Sequence, residues 1–198
     1  MTQFSSNAEL EKAYDATIEG LASALNIRDP ETEGRSRKVM DLAVKLAQKM
    51  GLNDEEVQNI SRGALLHDIG KMGIPDSILL KRDALTEDEQ KIMNQHPTLG
   101  YEMLKDSPYL QSATDAVYSH HERWDGEGYP QGLKGEEIPL SARIVSVANS
   151  WDAHLHDRPN RKAWTREKNI KYLQEQSGKM FDPELVEVFL EKVIVVKK

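Results

Sequence analysis

Apolar side chains recur at three- and four-residue intervals along most of the chain, a spacing that predicts amphipathic helices. The first segment with this spacing covers about 17 residues and contains Leu10, Ala13, Tyr14, Ile18, Leu21 and Leu25. The spacing repeats from Val39 to Met50, where Gly51 is typical of a helix end. The alternating pattern of strands is nearly absent. The pattern therefore predicts an all-α fold.

Capping residues indicate where further helices begin and end. Asn53, followed by three acidic residues, is expected to begin a helix that runs through His67-Asp68 and ends at Gly70. Thr86 and Glu89 have the spacing of a capping box. The remaining helices are expected over residues 110–121, 140–154, 165–176 and 183–193. The tail from Val193 fits either a short strand or a frayed helix end.

The segment from Glu122 to Pro139 has a different composition. It contains four glycines and two prolines, which predicts a long ordered loop. Loops of this length inside a compact domain are often functional. The sequence thus predicts roughly seven helices and one long loop rich in glycine and proline.

Composition narrows the class of protein. A length of 198 residues with 38% apolar residues suits one domain with a helical lead-in, which we place at residues 1–25 and 26–198. The absence of cysteine excludes disulfide scaffolds, thiol catalysis and iron–sulfur clusters, and fits a reducing cytoplasm. The first residues lack the basic and apolar regions of a signal peptide. We therefore expect a cytoplasmic protein.

Charge and hydropathy also limit the partners. The formal net charge is −7 and no run of basic residues is present, so DNA is a poor partner. No stretch approaches the roughly 20 apolar residues that a membrane span requires. We expect neither a DNA partner nor a membrane partner.

Four of the six histidines lie in settings that favour a metal site. His67 is followed by Asp68 at the end of an apolar helical run, His96 lies on a separate helix, and His120-His121 ends another. Imidazole and carboxylate ligands suit iron, manganese or zinc, and one carboxylate can bridge two ions. A lone histidine is more often a surface or core residue, but this combination favours metal binding.

Several short motifs occur in a fixed order from about Leu25 to Phe189. They are His67-Asp68-Ile69-Gly70-Lys71, His96, His120-His121-Glu122, Asp125-Gly126, Gly128-Tyr129-Pro130 and Arg158-Pro159. In these motifs the chain resembles the HD-GYP family, HD-domain phosphohydrolases known for hydrolysing cyclic di-GMP. The resemblance implies a helical bundle that binds two or three metal ions, commonly iron or manganese. It also implies that hydroxide held between the ions attacks phosphorus.

The resemblance implies a role for each metal-binding side chain. Asp68 would be the carboxylate that bridges two ions, and His67 would bind the first of them. His96, His120 and His121 would surround the second ion.

The resemblance also implies which residues would contact the substrate. Lys71 would reach the substrate phosphate as a point charge, which makes Asp68 and Lys71 the expected catalytic residues. Arg123 and the loop residues Gly128, Tyr129 and Pro130 would contact substrate at the entrance. Arg143 would lie near the site or in its supporting shell.

The chain departs from the family pattern at two positions of the first metal. Arg35 replaces a histidine and Asn149 replaces an aspartate, a charge change of about +2 that equals one divalent ion. We therefore hypothesise that the Arg35 guanidinium occupies the space of the first ion and pairs with Asp68, which leaves one ion rather than two or three. Random loss of ligands is the alternative. Glu31 stands where three-metal members place an additional ligand, or it is merely a charge in the first turn of a helix. The family's Arg-Pro-Tyr motif reads Arg158-Pro159-Asn160 in this chain.

Three functions remain open. The first is a degenerate HD-GYP domain, weakly active or inactive, that acts by binding a ligand or partner. The second is an active phosphodiesterase that converts cyclic di-GMP to linear pGpG or GMP. The third is a structural module whose Gly-Tyr-Pro segment contacts other signalling proteins. The expected partners are cyclic di-GMP or a related cyclic dinucleotide, other signalling proteins or an upstream sensor or receiver domain, and a second copy in a homodimer. The lead-in helix could form the dimer contact, but packing against the core of its own chain is the simpler expectation.

Overall fold

The computed structural model describes residues 2–29, 34–157 and 162–195. Within these ranges the chain forms ten α-helices. Their bounds are α1 Thr2–Arg28, α2 Arg35–Lys49, α3 Asp54–Leu66, α4 Asp76–Leu79, α5 Glu87–Met93, α6 His96–Leu104, α7 Gln111–Ser119, α8 Leu140–His154, α9 Arg166–Gln176 and α10 Pro183–Val188. Two 3₁₀-helices (Ile69–Gly73 and Gly135–Glu137) and a π-helix (Phe189–Val193) complete the described elements. No strand occurs in these ranges, so the predicted all-α class is confirmed.

The predicted caps form as hydrogen-bonded pairs. The Asn53 side chain accepts from the Glu56 N–H at 3.0 Å, and the Glu56 carboxylate accepts from the Asn53 N–H at 2.9 Å. Thr86 and Glu89 form the second capping box in the same way. Each capping box provides acceptors for two backbone N–H groups that would otherwise lack a hydrogen-bond partner at the start of the helix.

Two features of the helices differ from the prediction. The helix α3 ends at Leu66 rather than at Gly70, because the chain tightens into the 3₁₀-helix Ile69–Gly73. The helices α4 and α6 raise the number above roughly seven. Neither begins with a side-chain cap, although Pro97 in the first turn of α6 is typical of a helix start.

Two apolar clusters hold the helices together. The larger one joins α2, α3, α8, α9 and the C-terminal helices around fully buried residues such as Val39, Leu46, Ile144, Leu173 and Phe189. The smaller one packs α1 onto α3 and the adjoining 3₁₀-helix through Ile18, Ala22, Leu25, Leu66 and Ile69.

The lead-in helix is thus packed within the chain along its C-terminal half. It continues to Arg28, three residues beyond the predicted boundary at residue 25. Its earlier part is more exposed: Leu10 keeps 51% of its surface, and Tyr14 stacks on Tyr109 with ring centroids 4.0 Å apart. Among the described helices, none has both the length and the apolar character that a bilayer crossing requires.

Candidate metal centre and pocket

Asp68, His96, His120 and His121 converge on one point. One ligand atom from each lies within 4.8 Å of the others. The His96 Nε2 atom is 3.3 Å from Asp68 Oδ1 and 3.3 Å from His120 Nε2. Four nitrogen and oxygen donors at this spacing match the coordination sphere of a divalent transition metal.

The fold brings these four residues together from three helix ends. Asp68 follows α3, His96 begins α6, and His120 and His121 follow α7. Gly70 permits the approach of α6, because a Cβ atom there would lie 1.9 Å from the His96 carbonyl oxygen.

Backbone carbonyls at helix ends orient three of the histidine rings. His67 Nδ1 lies 2.7 Å from the Ala64 carbonyl oxygen, and His96 Nδ1 lies 2.9 Å from that of Met93. A carbonyl oxygen can only accept, so Nδ1 carries the proton and Nε2 keeps its lone pair. His120 Nδ1 makes the same kind of contact with the end of α7. The Nε2 atoms are therefore prepared to bind a metal ion.

His67 Nε2 has no hydrogen-bond partner among the described residues, although it is buried. It lies 3.3 Å from Asp68 Oδ2 without hydrogen-bond geometry. A buried polar atom without a partner costs free energy, and an ion at this position would remove that cost. The donor set, including His67 beside the group of four, therefore fits a divalent metal ion.

The site holds one strongly acidic carboxylate. Burial alone would raise the pKa of Asp68, but His67 and the Lys71 ammonium outweigh that effect and hold this pKa well below its usual range. Lys71 Nζ lies 2.8 Å from Asp68 Oδ2 and 3.5 Å from Asp29 Oδ2. Lysine 71 is thus shared between two carboxylates at the edge of the site.

Burial has the opposite effect on the histidines. Burial, and after it the nearby His96, together lower the pKa of His121 to about 3. Burial likewise holds the pKa of His120 well below its usual range. Both rings are therefore neutral at physiological pH and can donate a lone pair.

The loop from residue 122 to 139 is ordered and covers one side of the site. The buried Glu122 carboxylate accepts from the backbone N–H of Gln131 at 2.6 Å and of Leu133 at 3.0 Å. Gly128 lies so close to the start of the loop that a Cβ atom would be 2.4 Å from the Arg123 nitrogen. The next residue, Tyr129, stacks on His121 with ring centroids 4.8 Å apart. Tyr129 is followed by Pro130, and their peptide bond is cis.

The two arginines expected near the site or in its supporting shell contact the loop. Arg123 Nε donates to Asp125 Oδ1 at 3.0 Å, within the loop itself. Arg143 donates to the Ile138 carbonyl at 2.9 Å and to Asp182 at 2.7 Å. A substrate contact of Arg123 stays a prediction.

The structure corrects the expected partner of Arg35. Arg35 Nε lies 3.1 Å from Asp152 Oδ2, and its Nη2 is 3.5 Å from Asn149 Oδ1. The predicted ion pair between Arg35 and Asp68 is therefore wrong: Lys71 is the cation nearest to Asp68. The physical reason is that Arg35 begins α2 and faces α8, where Asp152 and Asn149 lie one turn apart on the same side. That spacing was visible in the sequence and could have identified Asp152.

Two predicted features fall outside the described residues. They are Glu31, expected as a third-metal ligand, and the segment Arg158-Pro159-Asn160.

A pocket of about 500 Å³ opens over these residues. Arg35, Asn149, Asp68, Lys71 and Tyr129 line its inner part. Its outer wall comes from the segment that contains α4 and α5, with Leu79, Leu85, Gln90, Met93 and Asn94. The pocket has room for a small-molecule ligand of nucleotide size.

Comparison with known proteins places the chain in a family. A family model described as HD domain matches residues 19–185. The cyclic di-GMP phosphodiesterase response regulator RpfG of Xanthomonas campestris is 45% identical over 184 residues, which are 92% of this chain and 49% of that protein. A cyclic di-GMP phosphodiesterase of Thermotoga maritima is 44% identical over 184 residues, 92% of this chain and 50% of that protein. The chain spans about half the length of these curated relatives.

A solved structure agrees at the level of the fold. A cyclic GMP-AMP specific phosphodiesterase of V. cholerae superposes with a TM-score of 0.70 at 20% identity, covering 90% of this chain and 48% of that one. The family model, the relatives and the order of the histidine and Gly-Tyr-Pro motifs agree, and the chain belongs to the HD domain family, in its HD-GYP subgroup.

Proposed function

We propose that the chain is a cyclic dinucleotide-binding HD-GYP domain that holds one divalent metal ion and hydrolyses its ligand weakly. The observation that carries this proposal is the contrast between the two halves of the site. Asp68, His96, His120 and His121 converge as ligands, whereas Arg35 and Asn149 face each other where the family pattern has two further ligands.

The retained half suits iron or manganese. Asp68 and the three histidines would hold the ion, with His67 beside them, and a bound ion would supply a Lewis acid and an activated water. Lys71, which lies 2.8 Å from Asp68, would bind a phosphate oxygen at the edge of the same site. Because the rings of His120 and His121 are neutral, no additional proton competes with the metal ion for their ligand nitrogens.

The altered half explains why turnover would be weak. The Arg35 guanidinium has no lone pair to offer an ion, and the Asn149 side chain offers only a neutral oxygen. Arg35 is moreover held in an ion pair with Asp152, whose side chain is 4% exposed. Loss of the second ion removes several kcal/mol of transition-state stabilisation, which corresponds to several orders of magnitude in rate.

The ligand class is supported by the pocket and by the relatives. A volume of about 500 Å³ accommodates a nucleotide next to the metal ligands. The relatives in Xanthomonas campestris and Thermotoga maritima are named cyclic di-GMP phosphodiesterases. We therefore propose cyclic di-GMP or a related cyclic dinucleotide as the ligand.

The test compares the natural chain with the double variant Arg35→His, Asn149→Asp. Both are loaded anaerobically with iron(II) or manganese, and metal content, cyclic di-GMP affinity and linear products are measured. We expect one ion per natural chain and two per double variant. We also expect turnover to rise about 100-fold or more when the second ion is restored. The matched control is Arg37→His, because Arg37 lies on the exposed face of α2 and pairs with Glu19.

Three outcomes would contradict the proposal. Two ions in the natural chain, or measurable turnover equal to that of the double variant, would identify an active phosphodiesterase. Absence of cyclic dinucleotide binding by both proteins would instead favour a structural interaction module.

A further inference from the structure

Arg28 connects the end of α1 to the turn that carries Lys71. Its guanidinium donates to the backbone carbonyls of Lys71 (3.2 Å), Met72 and Ile74, and to the Asp76 carboxylate (2.9 Å). A second bond joins Arg28 Nε to the same carboxylate. All five N–H donors of one side chain are thus used within six residues of chain.

These contacts determine the backbone position of Lys71. Within the turn from residue 71 to 76, Ile74 is buried at 1% exposure, whereas Lys71 is only partly buried and depends more on its hydrogen bonds. The Arg28 side chain is 26% exposed, so its bonds to the carbonyls are partly shielded from water. A guanidinium held this way fixes several carbonyls at once, because its donors form a rigid planar fork.

The same helix end also approaches the Lys71 side chain. Asp29 directly follows Arg28, and its carboxylate lies 3.5 Å from Lys71 Nζ. The other face of this region is packed: Leu25 of α1 lies in the apolar cluster that includes Ile69 of the 3₁₀-helix. A displacement of the end of α1 would therefore move both the backbone and the surroundings of Lys71.

We propose that Arg28 is a positioning residue for Lys71: it holds the backbone of Lys71 where the Lys71 ammonium lies 2.8 Å from Asp68 Oδ2. This inference rests on the proposed function, since Lys71 is there the phosphate-binding cation. It assigns α1 a direct part in the site, because the last turn of α1 sets the position of Lys71.

The test is a double-mutant cycle between Arg28→Ala and Lys71→Met, read out as cyclic di-GMP affinity of the metal-loaded chain. We expect Arg28→Ala to weaken binding about 10-fold or more when Lys71 is present, because small displacements of a binding group are costly. In the Lys71→Met background the same change is expected to have no further effect. Metal content is expected to stay at one ion in Arg28→Ala, since Arg28 contacts none of the proposed ligands. It is measured separately in the Lys71→Met background, because Lys71 lies 2.8 Å from Asp68.

Two further variants separate positioning from general stability. Arg28→Lys keeps the charge but offers three donors instead of five, and we expect it to recover only part of the affinity. Arg37→Ala is the matched control, because it removes another arginine that is paired with α1, through Glu19, far from the turn. It is expected to leave affinity unchanged. Equal losses from Arg28→Ala with and without Lys71, or loss of the ion, would overturn the inference.

A measurement without ligand keeps this inference separate from the proposed function. The side-chain NMR signal of Lys71, assigned through Lys71→Met, is expected to shift in Arg28→Ala and not in Arg37→Ala. If cyclic di-GMP binds to no variant but this shift occurs, the proposed function fails and the positioning role of Arg28 stands. An unshifted signal would show that Arg28 does not position Lys71.

Discussion

Gly70 lies where the turn after Asp68 passes directly beneath the start of α6. A Cβ atom at this position would lie 1.9 Å from the His96 carbonyl oxygen and 2.4 Å from the Gly100 nitrogen. Both neighbours are backbone atoms, which cannot rotate away as a side chain would. The distance between Asp68 and His96 therefore depends on the absence of a side chain at residue 70.

The change Gly70→Ala is expected to lower the free energy of unfolding by about 3 kcal/mol, since overpacking against backbone forces the two segments apart. It is also expected to lower metal content, because His96 moves with α6. Urea unfolding and metal analysis measure both effects. Gly20→Ala is the control: no atom lies within 4 Å of its Cβ position, and alanine in a helix should add about 0.5–1 kcal/mol. Equal unfolding midpoints for the two variants would contradict the prediction.

The side-chain contacts of the site residues were harder to predict from the sequence than the identity of those residues. Asp68, His96, His120 and His121 could be selected by motif, and the structure does bring them together. The partner of Arg35 was predicted wrongly, although Asn149 and Asp152 lie one turn apart on α8 and their spacing makes Asp152 a candidate. The spacing supplies the candidate, and the packing of α2 on α8 decides between Asp152 and Asp68.

Among the elements, the loop from residue 122 to 139 depends on one buried carboxylate. Glu122 accepts hydrogen bonds from two backbone N–H groups on the far side of the loop, and the residue is only 3% exposed. Bonds to a charged acceptor are stronger than neutral ones. Glu122 therefore determines the path that places Tyr129 on His121.

The change Glu122→Gln is expected to destabilise the protein by about 1–3 kcal/mol, because one of the two backbone donors loses its acceptor. It is also expected to increase hydrogen exchange at Gln131 and Leu133. Unfolding curves and amide exchange measure the two effects. Glu127→Gln is the matched control, since the Glu127 side chain is 80% exposed on the same loop. Identical exchange rates in the two variants would show that Glu122 does not anchor the loop.

Side-chain caps made the starts of three helices predictable. The helices α3, α5 and α9 begin directly after Asn53, Thr86 and Thr165, which each accept a backbone hydrogen bond. The helix α6 begins after Gln95 without such a bond. Its position is fixed by packing on the turn around Gly70, a tertiary contact that the sequence pattern does not contain.

At the scale of the whole molecule, the histidines of the metal site make the free energy of unfolding depend on pH. Burial keeps His120 and His121 neutral in the folded chain, with a pKa of about 3 for His121, whereas in the unfolded chain each would titrate near 6.5. The unfolded state therefore binds more protons below about pH 6.5, and stability falls as pH falls. The depressed pKa of Asp68 acts only below about pH 4, where its stabilisation is lost, so it does not offset this loss.

The metal-free protein is therefore expected to lose about 3 kcal/mol between pH 7.5 and 5.5, at up to about 1.4 kcal/mol per pH unit for each of the two histidines. Urea unfolding in the presence of a chelator at both pH values measures this difference. His121→Phe is expected to reduce the pH dependence by about half, because one titrating group is removed. Stability that is independent of pH over this range would contradict the assignment of both rings as neutral.

The wall of the pocket that contains α5 has little buried surface. No residue of α5 is buried, and the helix is held by its capping box and by an ion pair between Lys81 and Glu89. Segments with little buried apolar surface open at a small fraction of the free energy of global unfolding. The metal ligands, by contrast, belong to helix ends that are buried in the core. A bulky ligand can therefore enter by local opening of the part of this wall that precedes Met93, because the Met93 carbonyl itself accepts from the Nδ1 atom of His96. The size of the pocket is then set by an equilibrium rather than by a fixed volume.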